Sequence, residues 1–194
     1  MFRYFTKVNN SLEANSKYIF YTHTPSAKSL PFQIGACGHF FCAKDYNVER
    51  AGHNFLLIIV TLSGSGEIFY KNRHYTLHKG HAFIIDCSEY HYYRTRGQSW
   101  EIKWVRYKCH KAIDYNQLIN KGSLEIIFME NAAMINKYID TIILLSQRHS
   151  PTTHFSLSNL ISAILTELCM IQYENSSQHI AVSTRKTIFD AVLY

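Results

Sequence analysis

The chain has 194 residues, 47% of them hydrophobic, which is enough for one compact domain with its own core. Its net charge of +6 comes from scattered Lys and Arg residues, and this argues against nucleic-acid binding by charge alone. The longest apolar run is too short for a membrane span, no signal-peptide core is present, and five cysteines in no paired spacing favour a reducing compartment, so we expect a cytoplasmic protein.

The first half of the chain carries strand signals. Residues 55–62 form an apolar, β-branched run that predicts a buried strand, and the sequence Gly-Ser-Gly at 64–66 predicts a tight turn after it. Residues 67–77 contain two alternating runs around Asn72 and Arg73. Because Asn tolerates the positive φ of tight turns, this pattern predicts a hairpin.

Two more strands are predicted at residues 81–86 and 92–107. In the second of these, Trp100, Ile102 and Trp104 share one face, because successive side chains of a strand alternate. Several short strands separated by turn signals predict a small barrel or sandwich.

From residue 112 onward the apolar spacing becomes helical. One helix is predicted around residues 134–145, and a second follows Pro151, with Ser156 or Ser158 available as its N-cap. The polar stretch 174–185 predicts a linker, after which a new helical pattern begins.

The second predicted helix carries a regular apolar stripe. Its spacing of four, three, four and three residues is that of a coiled-coil seam, so we expect it to pair two copies of the chain. A second row, formed by Leu160, Ala163 and Met170, lies beside the stripe, and the alternative is that both rows are internal. The stripe consists of Leu157, Ile161, Ile164, Leu168 and Ile171.

A succession of motif residues between residues 35 and 107 resembles a known family. These residues are, in chain order, Gly38, Cys42, Tyr46, Arg50, Gly64, Gly66, Tyr75, Leu77, Gly80, Phe83, His91, Trp100 and Trp104. Their order and spacing resemble the arabinose-binding, cupin-type domain of AraC-family transcription regulators. The resemblance implies an α+β fold, in which a small antiparallel cupin-like β-barrel (jelly roll) is followed by a helical dimerisation segment.

The resemblance also implies a division of the chain and a function. Residues 1–112 would form an N-terminal arm and the effector-binding barrel, 113–173 the dimerisation segment, 174–185 a linker, and 186–194 the start of a truncated C-terminal helix-turn-helix domain. The function implied is that of an effector-binding, homodimeric regulator domain that is not an enzyme. Its effector would be a carbohydrate or related small molecule, and it would contact DNA only through the attached C-terminal domain.

The candidate ligand site lies inside the barrel. Aromatic faces can cover the C–H patches of a sugar, while a guanidinium donates to its hydroxyls or carboxylate. Arm residues Tyr18, Phe20 and Tyr21 are candidates to lie over the ligand. The resemblance gives Arg50, Tyr93 and Trp104 ligand-contacting positions, and the complete set of candidates is Arg50, Tyr93, Trp104, Trp100, Ile102 and His91.

A purely structural interpretation stays open for these residues. In it the tryptophans fill the barrel and Arg50 pairs with Glu67 or Glu89. The sequence also departs from the family pattern, since Ile102 stands where sugar-binding relatives have a polar residue and Arg106 where histidine or an aromatic is common. Arg106 belongs to the densest basic group, Arg94, Arg96, Lys103, Arg106 and Lys108, which we interpret as a solvated strand face.

Catalytic and metal sites are not predicted. The chain has no His-x-His motif, and His74 and His78 lie about 13 Å apart along a strand, too far to share an ion. His91 alone resembles a metal-cupin ligand. No nucleophile elbow or phosphate-binding glycine loop is present. We therefore expect no metal, cofactor or catalytic residue, and the alternative function is a metal-free cupin isomerase or lyase acting on a sugar.

Overall fold

The computed structural model describes residues 4–22, 29–109, 115–120, 123–148, 150 and 152–192, with the backbone alone for 178–192. The strands are β1 (Phe5–Asn9), β2 (Lys17–Phe20), β3 (Phe32–Ala43), β4 (Asn47–Ala51), β5 (Leu56–Tyr70), β6 (Arg73–His78), β7 (His81–Asp86), β8 (His91–Cys109) and β9 (Ile127–Phe128). The helices are α1 (Tyr115–Asn120), α2 (Ala133–Ser146) and α3 (Thr153–Val192).

Strand β8 is the centre of the sheet. It pairs with β5 on one side and with β4 and then β3 on the other, and all the pairings between described strands are antiparallel. At the edges, β1 pairs with β4 and β2 with β3, so the predicted N-terminal arm contributes two strands to the sheet. The predicted α+β class, an antiparallel barrel followed by helices, is confirmed.

The sheet separates two apolar cores. Because side chains alternate along a strand, β5 sends Leu57 and Ile59 to one side and Ile58 and Val60 to the other. The inner core lies within the barrel and includes Leu57, Ile59, Ile68, Phe83, Ile85, Tyr93, Trp100 and Ile102. The outer core lies between the sheet and the helices and includes Ile58, Val60, Ile84, Val105, Tyr107, Ile139, Ile142, Ile161 and Ile164.

The predicted hairpin is present with its turn one residue earlier than expected. Tyr70 lies opposite Arg73, so Lys71 and Asn72 form a two-residue turn. Their φ angles are 48° and 62°, which is the conformation of the turn that matches strand twist in hairpins.

The predicted turn at residues 64–66 is wrong, because β5 continues through it to Tyr70. The pairing of β5 with β8 instead shifts register twice, between Thr61 and Ser63 and between Gly64 and Gly66. Gly64 has a φ of +67°, and a Cβ at Gly66 would lie 2.4 Å from the ring of Trp100. The glycines therefore admit the indole and bend the strand rather than end it.

The predicted helix at 134–145 is confirmed as α2, but the predicted start of the next helix is wrong. Helix α3 begins at Thr153, so neither Ser156 nor Ser158 is its N-cap. Ser158 is buried, and its hydroxyl accepts a hydrogen bond from the Phe32 backbone N–H at 3.2 Å. The serine joins α3 to the start of β3 instead.

The predicted linker at residues 174–185 is also corrected, because the backbone of α3 is helical from Thr153 to Val192. The segment is polar but contains neither proline nor glycine. Polar residues such as Glu, Gln and Ser cost a helix only tenths of a kcal/mol each, so polarity alone does not interrupt it. The division of the chain into domains stays a prediction.

The residues predicted to form a seam between two chains are corrected to core residues. Their stripe faces this chain's own barrel and α2, because one apolar stripe has the same spacing whether it covers a core or a partner. Leu157 is 2% exposed, Ile161, Ile164 and Leu168 are 0% exposed, and Ile171 is half-buried against the same core.

By length and composition alone, Thr153–Ser177 of α3 is apolar enough to cross a membrane, with a mean hydropathy of 1.4. Its apolar stripe lies in the outer core, as in a helix that packs within a globular domain.

We predict that Ile164→Ala lowers the free energy of unfolding by about 2–5 kcal/mol, since it leaves a cavity in the outer core. Chemical denaturation measures this change, and sedimentation should show the association state unchanged. Leu144→Ala on α2 is the control, because Leu144 is 51% exposed, and its effect should stay within about 0.5 kcal/mol. If Ile164→Ala instead dissociated a dimer without loss of stability, the result would support the predicted seam between two chains.

Candidate functional site

A cavity of about 170 Å³ borders the inner core. Its apolar wall includes Tyr18 and Phe20 from β2 and Phe40 from β3. Strands β4 and β8 supply polar groups to the same space, among them Arg50 and Arg106. The cavity is thus an aromatic chamber with a few donors, which is the usual composition of a small-molecule site.

Four of the six candidate ligand residues line this cavity, namely Arg50, Tyr93, Ile102 and Trp104. Trp100 does not line it, because its side chain is fully buried in the inner core and its Nε1–H donates to the Thr61 hydroxyl at 3.1 Å. For Trp100 the structure therefore favours packing. That the other residues bind a ligand stays a prediction.

His91 lies behind the cavity wall rather than in it. Its ring is fully buried and stacks on Tyr93 with 6.2 Å between centroids, and its Nδ1 donates to the Glu89 carbonyl at 2.9 Å. Burial, together with the nearby Arg50 charge, lowers the pKa of His91 to about 4. His91 is therefore neutral at physiological pH and supports the Tyr93 ring.

Arg50 does not pair with Glu67, which accepts a hydrogen bond from Arg94 at 2.6 Å instead. Nor does Arg50 form an ion pair with Glu89 or with any other described residue. Its Nε is buried and has no acceptor among the residues that the structure describes. The structural interpretation of Arg50 as an internal ion pair is therefore not supported.

Trp104 presents a second unsatisfied donor. Its indole packs edge-on against Phe40, with 5.2 Å between centroids, and its Nε1 is buried without an acceptor in the described part of the chain. Across the strand pair lies Gly38, where a Cβ would be only 2.8 Å from that nitrogen. Arg50 and Trp104 thus both line the cavity, and each carries a buried donor without an acceptor among the described residues, where buried donors are normally paired.

Two neighbouring phenols, Tyr46 and Tyr93, also line the cavity, with 6.4 Å between their ring centroids. Burial raises the pKa of Tyr46 well above its usual value and that of Tyr93 to about 12, although the Arg50 charge opposes both shifts. Both hydroxyls are therefore neutral, and they offer hydrogen bonds rather than a proton-accepting base.

Arg106 is the main cavity residue that sequence reasoning missed. Its guanidinium carbon lies 4.2 Å from the Phe55 ring centroid and 5.6 Å from that of Phe20. The strand period was the available signal, because position 106 continues the face of Trp104 and Ile102. Burial lowers the pKa of Arg106, and the positive charge of Arg50 lowers it further.

The predicted solvated basic face is therefore wrong at two positions. Arg106 is half-buried on the cavity, and Lys103 is buried on the opposite side of β8, where its Nζ pairs with Asp140 of α2 at 2.6 Å. The remaining members follow the prediction more closely, since Arg94, Arg96 and Lys108 are exposed.

The N-terminal strands cover the cavity in part. Tyr18 and Phe20 line it from β2 and are 58% and 66% exposed, whereas Tyr21 is not among its lining residues. Strand β1 is held by His53, whose Nε2 lies 2.6 Å from the Thr6 hydroxyl.

Within the described residues, no three His, Cys, Asp or Glu side chains are grouped as metal ligands. Cys37 and Cys42 are both buried, and burial raises the pKa of the Cys37 thiol to about 11. Binding without a metal stays a prediction.

Comparison with known proteins gives one family. The family model described as the AraC-like ligand binding domain matches residues 33–181. No curated protein matches the chain.

Several solved structures are weakly similar. The Cupin_2 domain of an XRE family transcriptional regulator from Enterobacter cloacae is 18% identical, with a TM-score of 0.37 over 47% of this chain and 92% of that one. YhaK from Escherichia coli is 8% identical, with a TM-score of 0.45 over 59% of this chain and 51% of that one. The Cnp3 cupin domain from Schizosaccharomyces pombe is 14% identical, with a TM-score of 0.39 over 51% of this chain and 68% of that one.

We predict that Gly38→Ala displaces the Trp104 indole and lowers the free energy of unfolding by about 1–3 kcal/mol, because the new methyl would lie 2.6 Å from the Lys17 carbonyl oxygen and 2.8 Å from the indole nitrogen. Tryptophan emission and chemical denaturation report the two effects. Gly35→Ala is the matched control in the same strand, since its Cβ would meet nothing closer than 3.7 Å. Equal behaviour of the two variants would contradict the close packing at Gly38.

We also predict that His91 makes stability depend on pH. The unfolded imidazole binds a proton as the pH falls below 6.5, whereas the folded one stays neutral down to about 4. The free energy of unfolding should therefore decrease as the pH falls through this window, by at most about 1.4 kcal/mol per pH unit from this group.

Denaturation of the unmodified protein and of His91→Asn between pH 7 and pH 4.5 checks this. The variant should show the shallower slope, because His53, whose pKa is also lowered, titrates in both proteins. Identical slopes would show that His91 does not titrate as described.

Proposed function

Since the chain belongs to the family of AraC-like ligand-binding domains, we propose that it is the effector-sensing domain of a transcription regulator. The observation that carries the proposal is the pair of buried, unpaired donors, Arg50 Nε and Trp104 Nε1, on one aromatic cavity. A buried donor without an acceptor costs about 1–3 kcal/mol. A small molecule with oxygen acceptors removes that cost.

The effector in this proposal is a sugar or a related small molecule. The faces of Trp104 and Phe40 cover its C–H patches, and Arg50 and the Tyr93 hydroxyl bond its oxygens. Ile102 contributes an apolar contact. The volume of about 170 Å³ suits a single ring with its substituents rather than a long chain.

Binding fits this cavity better than catalysis. An isomerase or lyase acting on a sugar needs a group that exchanges a proton near neutral pH. Among the described residues that line the cavity, the ionisable groups are phenols and guanidiniums. Burial raises the pKa values of the Tyr46 and Tyr93 phenols, so no side chain described there supplies the base.

The switch in this proposal depends on the N-terminal strands. Tyr18 and Phe20 reach the cavity from β2, so a ligand that contacts them favours the state in which β2 is paired with β3. Such differential affinity is the physical source of a ligand-driven change. The paired state would then alter how a C-terminal helix-turn-helix domain is presented to DNA. A reading frame that continues past Tyr194 into that domain supports this step, and a stop codon there contradicts it.

The proposed regulator is a cytoplasmic homodimer, because two DNA-binding domains on paired half-sites need their protomers held together. The apolar stripe of α3 is covered by this chain, so in this proposal the partner contacts the second row, Leu160, Ala163 and Met170. Met170 in that row is 54% exposed, while Leu160 and Ala163 are half-buried.

We predict that Arg50→Ala weakens effector binding by about 1.5–3 kcal/mol, or roughly 10- to 150-fold, because a charge-assisted hydrogen bond is lost. The effector is found by thermal shift with a panel of monosaccharides, disaccharides and uronic acids, since a ligand of the folded state raises the Tm.

Arg94→Ala is the control for this experiment, because Arg94 is exposed and lies outside the cavity. It should leave binding unchanged. If Arg50→Ala unfolds the domain before any ligand is added, Arg50 is structural and the cavity assignment fails.

We predict that Met170→Asp converts the domain from dimer to monomer without loss of its helices, because it places a charge in an apolar contact. Sedimentation at tens of micromolar and circular dichroism measure the two properties. An unmodified domain that is monomeric at that concentration would contradict the dimer, and an unchanged variant would move the interface elsewhere.

A further inference from the structure

Two guanidinium groups share the cavity. Arg50 reaches it from β4 and Arg106 from β8, and each is half-buried. Both charges act on the same neighbour, His53. Burial is the main cause of its lowered pKa, and the charges of Arg50 and Arg106 lower that pKa as well.

The positive charge at this place has no protein counterion in the described residues. Neither arginine takes part in an ion pair there, and no carboxylate lines the cavity. Glu49, next to Arg50 in the sequence, accepts a hydrogen bond from the Tyr90 hydroxyl. Asp86 accepts one from the Ser88 backbone N–H. Like charges that are partly desolvated repel each other, so this arrangement is unfavourable until an anion joins it.

We propose that the cavity binds an organic carboxylate, whose carboxylate group lies between Arg50 and Arg106 and whose ring lies against the aromatic wall. This inference rests on the proposed ligand-binding function and narrows its ligand to an acid. A planar carboxylate matches the planar fork of a guanidinium and can accept two parallel hydrogen bonds from it.

Other ligand classes fit the cavity less well. A neutral sugar satisfies the unpaired donors but leaves both positive charges uncompensated. A phosphate monoester is mostly dianionic near neutral pH, and the apolar walls at Phe40 and Trp104 make the burial of a dianion more costly. A monoanionic acid on a ring meets both the charge and the aromatic surface.

Arg106 is also held in a way that suits this role. Its guanidinium lies near the rings of Phe55 and Phe20, at 4.2 Å and 5.6 Å from their centroids. The rings stabilise the cation through their faces and restrict its position. The edges of the guanidinium are then free of ion pairs with the described chain and can donate to the acid.

The test compares the affinity of the whole chain for acids with its affinity for their neutral counterparts. The pairs are D-glucuronate with D-glucose and benzoate with benzyl alcohol, each at equal ionic strength set with sodium chloride. Thermal shift and tryptophan emission report binding. We expect at least one acid to bind at least ten times more tightly than its neutral counterpart, and the pair in which this happens shows whether the ring is a sugar or an arene.

Variants then assign the effect to Arg106. Arg106→Gln should weaken binding of the acid at least tenfold and bring its affinity close to that of the neutral compound. Arg106→Lys keeps the charge but loses the two parallel donors of the guanidinium, so it should weaken binding less than Arg106→Gln. It replaces the glutamine variant in the test if that variant does not fold. Arg94→Gln removes an exposed arginine and should change nothing.

Several outcomes overturn the inference. They are equal binding of an acid and its neutral counterpart, tighter binding of phenyl phosphate than of benzoate, no binding by either acid, and full acid binding by both Arg106 variants. If glucose binds in an Arg50-dependent way while neither acid does, ligand sensing stands and the carboxylate assignment fails. If no compound in this test or in the saccharide panel binds, both fail.

Discussion

Two glycines in β5 allow it to pass close to the backbone and the indole of β8, and the rest of the domain depends on this close approach. Trp100 lies against Gly66, and its neighbour Ser99 lies so close to Gly64 that a Cβ there would be 2.1 Å from the Ser99 carbonyl oxygen. Side chains at those positions would hold β5 and β8 apart. With glycine, the two longest strands stay paired through two register shifts. Strand β8 therefore lines the cavity with its inner face and carries the helices on its outer face.

The sequence predicted the features that depend on alternation within a strand. The shared face of Ile102 and Trp104 and helix α2 are confirmed, and the hairpin is confirmed with its turn one residue earlier. It was not possible to tell a glycine bend from a turn at residues 64–66, because both need small residues after an apolar run. The strand continues because the Trp100 indole of β8 packs against Gly66.

The other errors have a common physical origin. The stripe through Ile164 specifies an apolar helix face but not what covers it, so an internal core and a dimer seam give the same spacing. Arg106 was assigned to solvent because it is charged, although its position on β8 places it with Trp104. In both cases the burial of the residue depends on elements distant in sequence. The barrel and α2 cover Ile164, and the rings of Phe20 and Phe55 lie beside Arg106.

Under the proposed function, the cavity costs the fold stability and gives it a binding site. Two donors that belong to its lining residues have no acceptor, and its two cations have no anion, among the described residues. These are costs to the folded state that a well-packed core would avoid, and a ligand that removes them gains the corresponding free energy. The pair Lys103 and Asp140 adds a mechanical consequence. Since Lys103 is adjacent to Ile102 and Trp104 on one backbone, β8 joins the wall of the cavity directly to α2, and the two sides of the sheet are in mechanical contact at this strand.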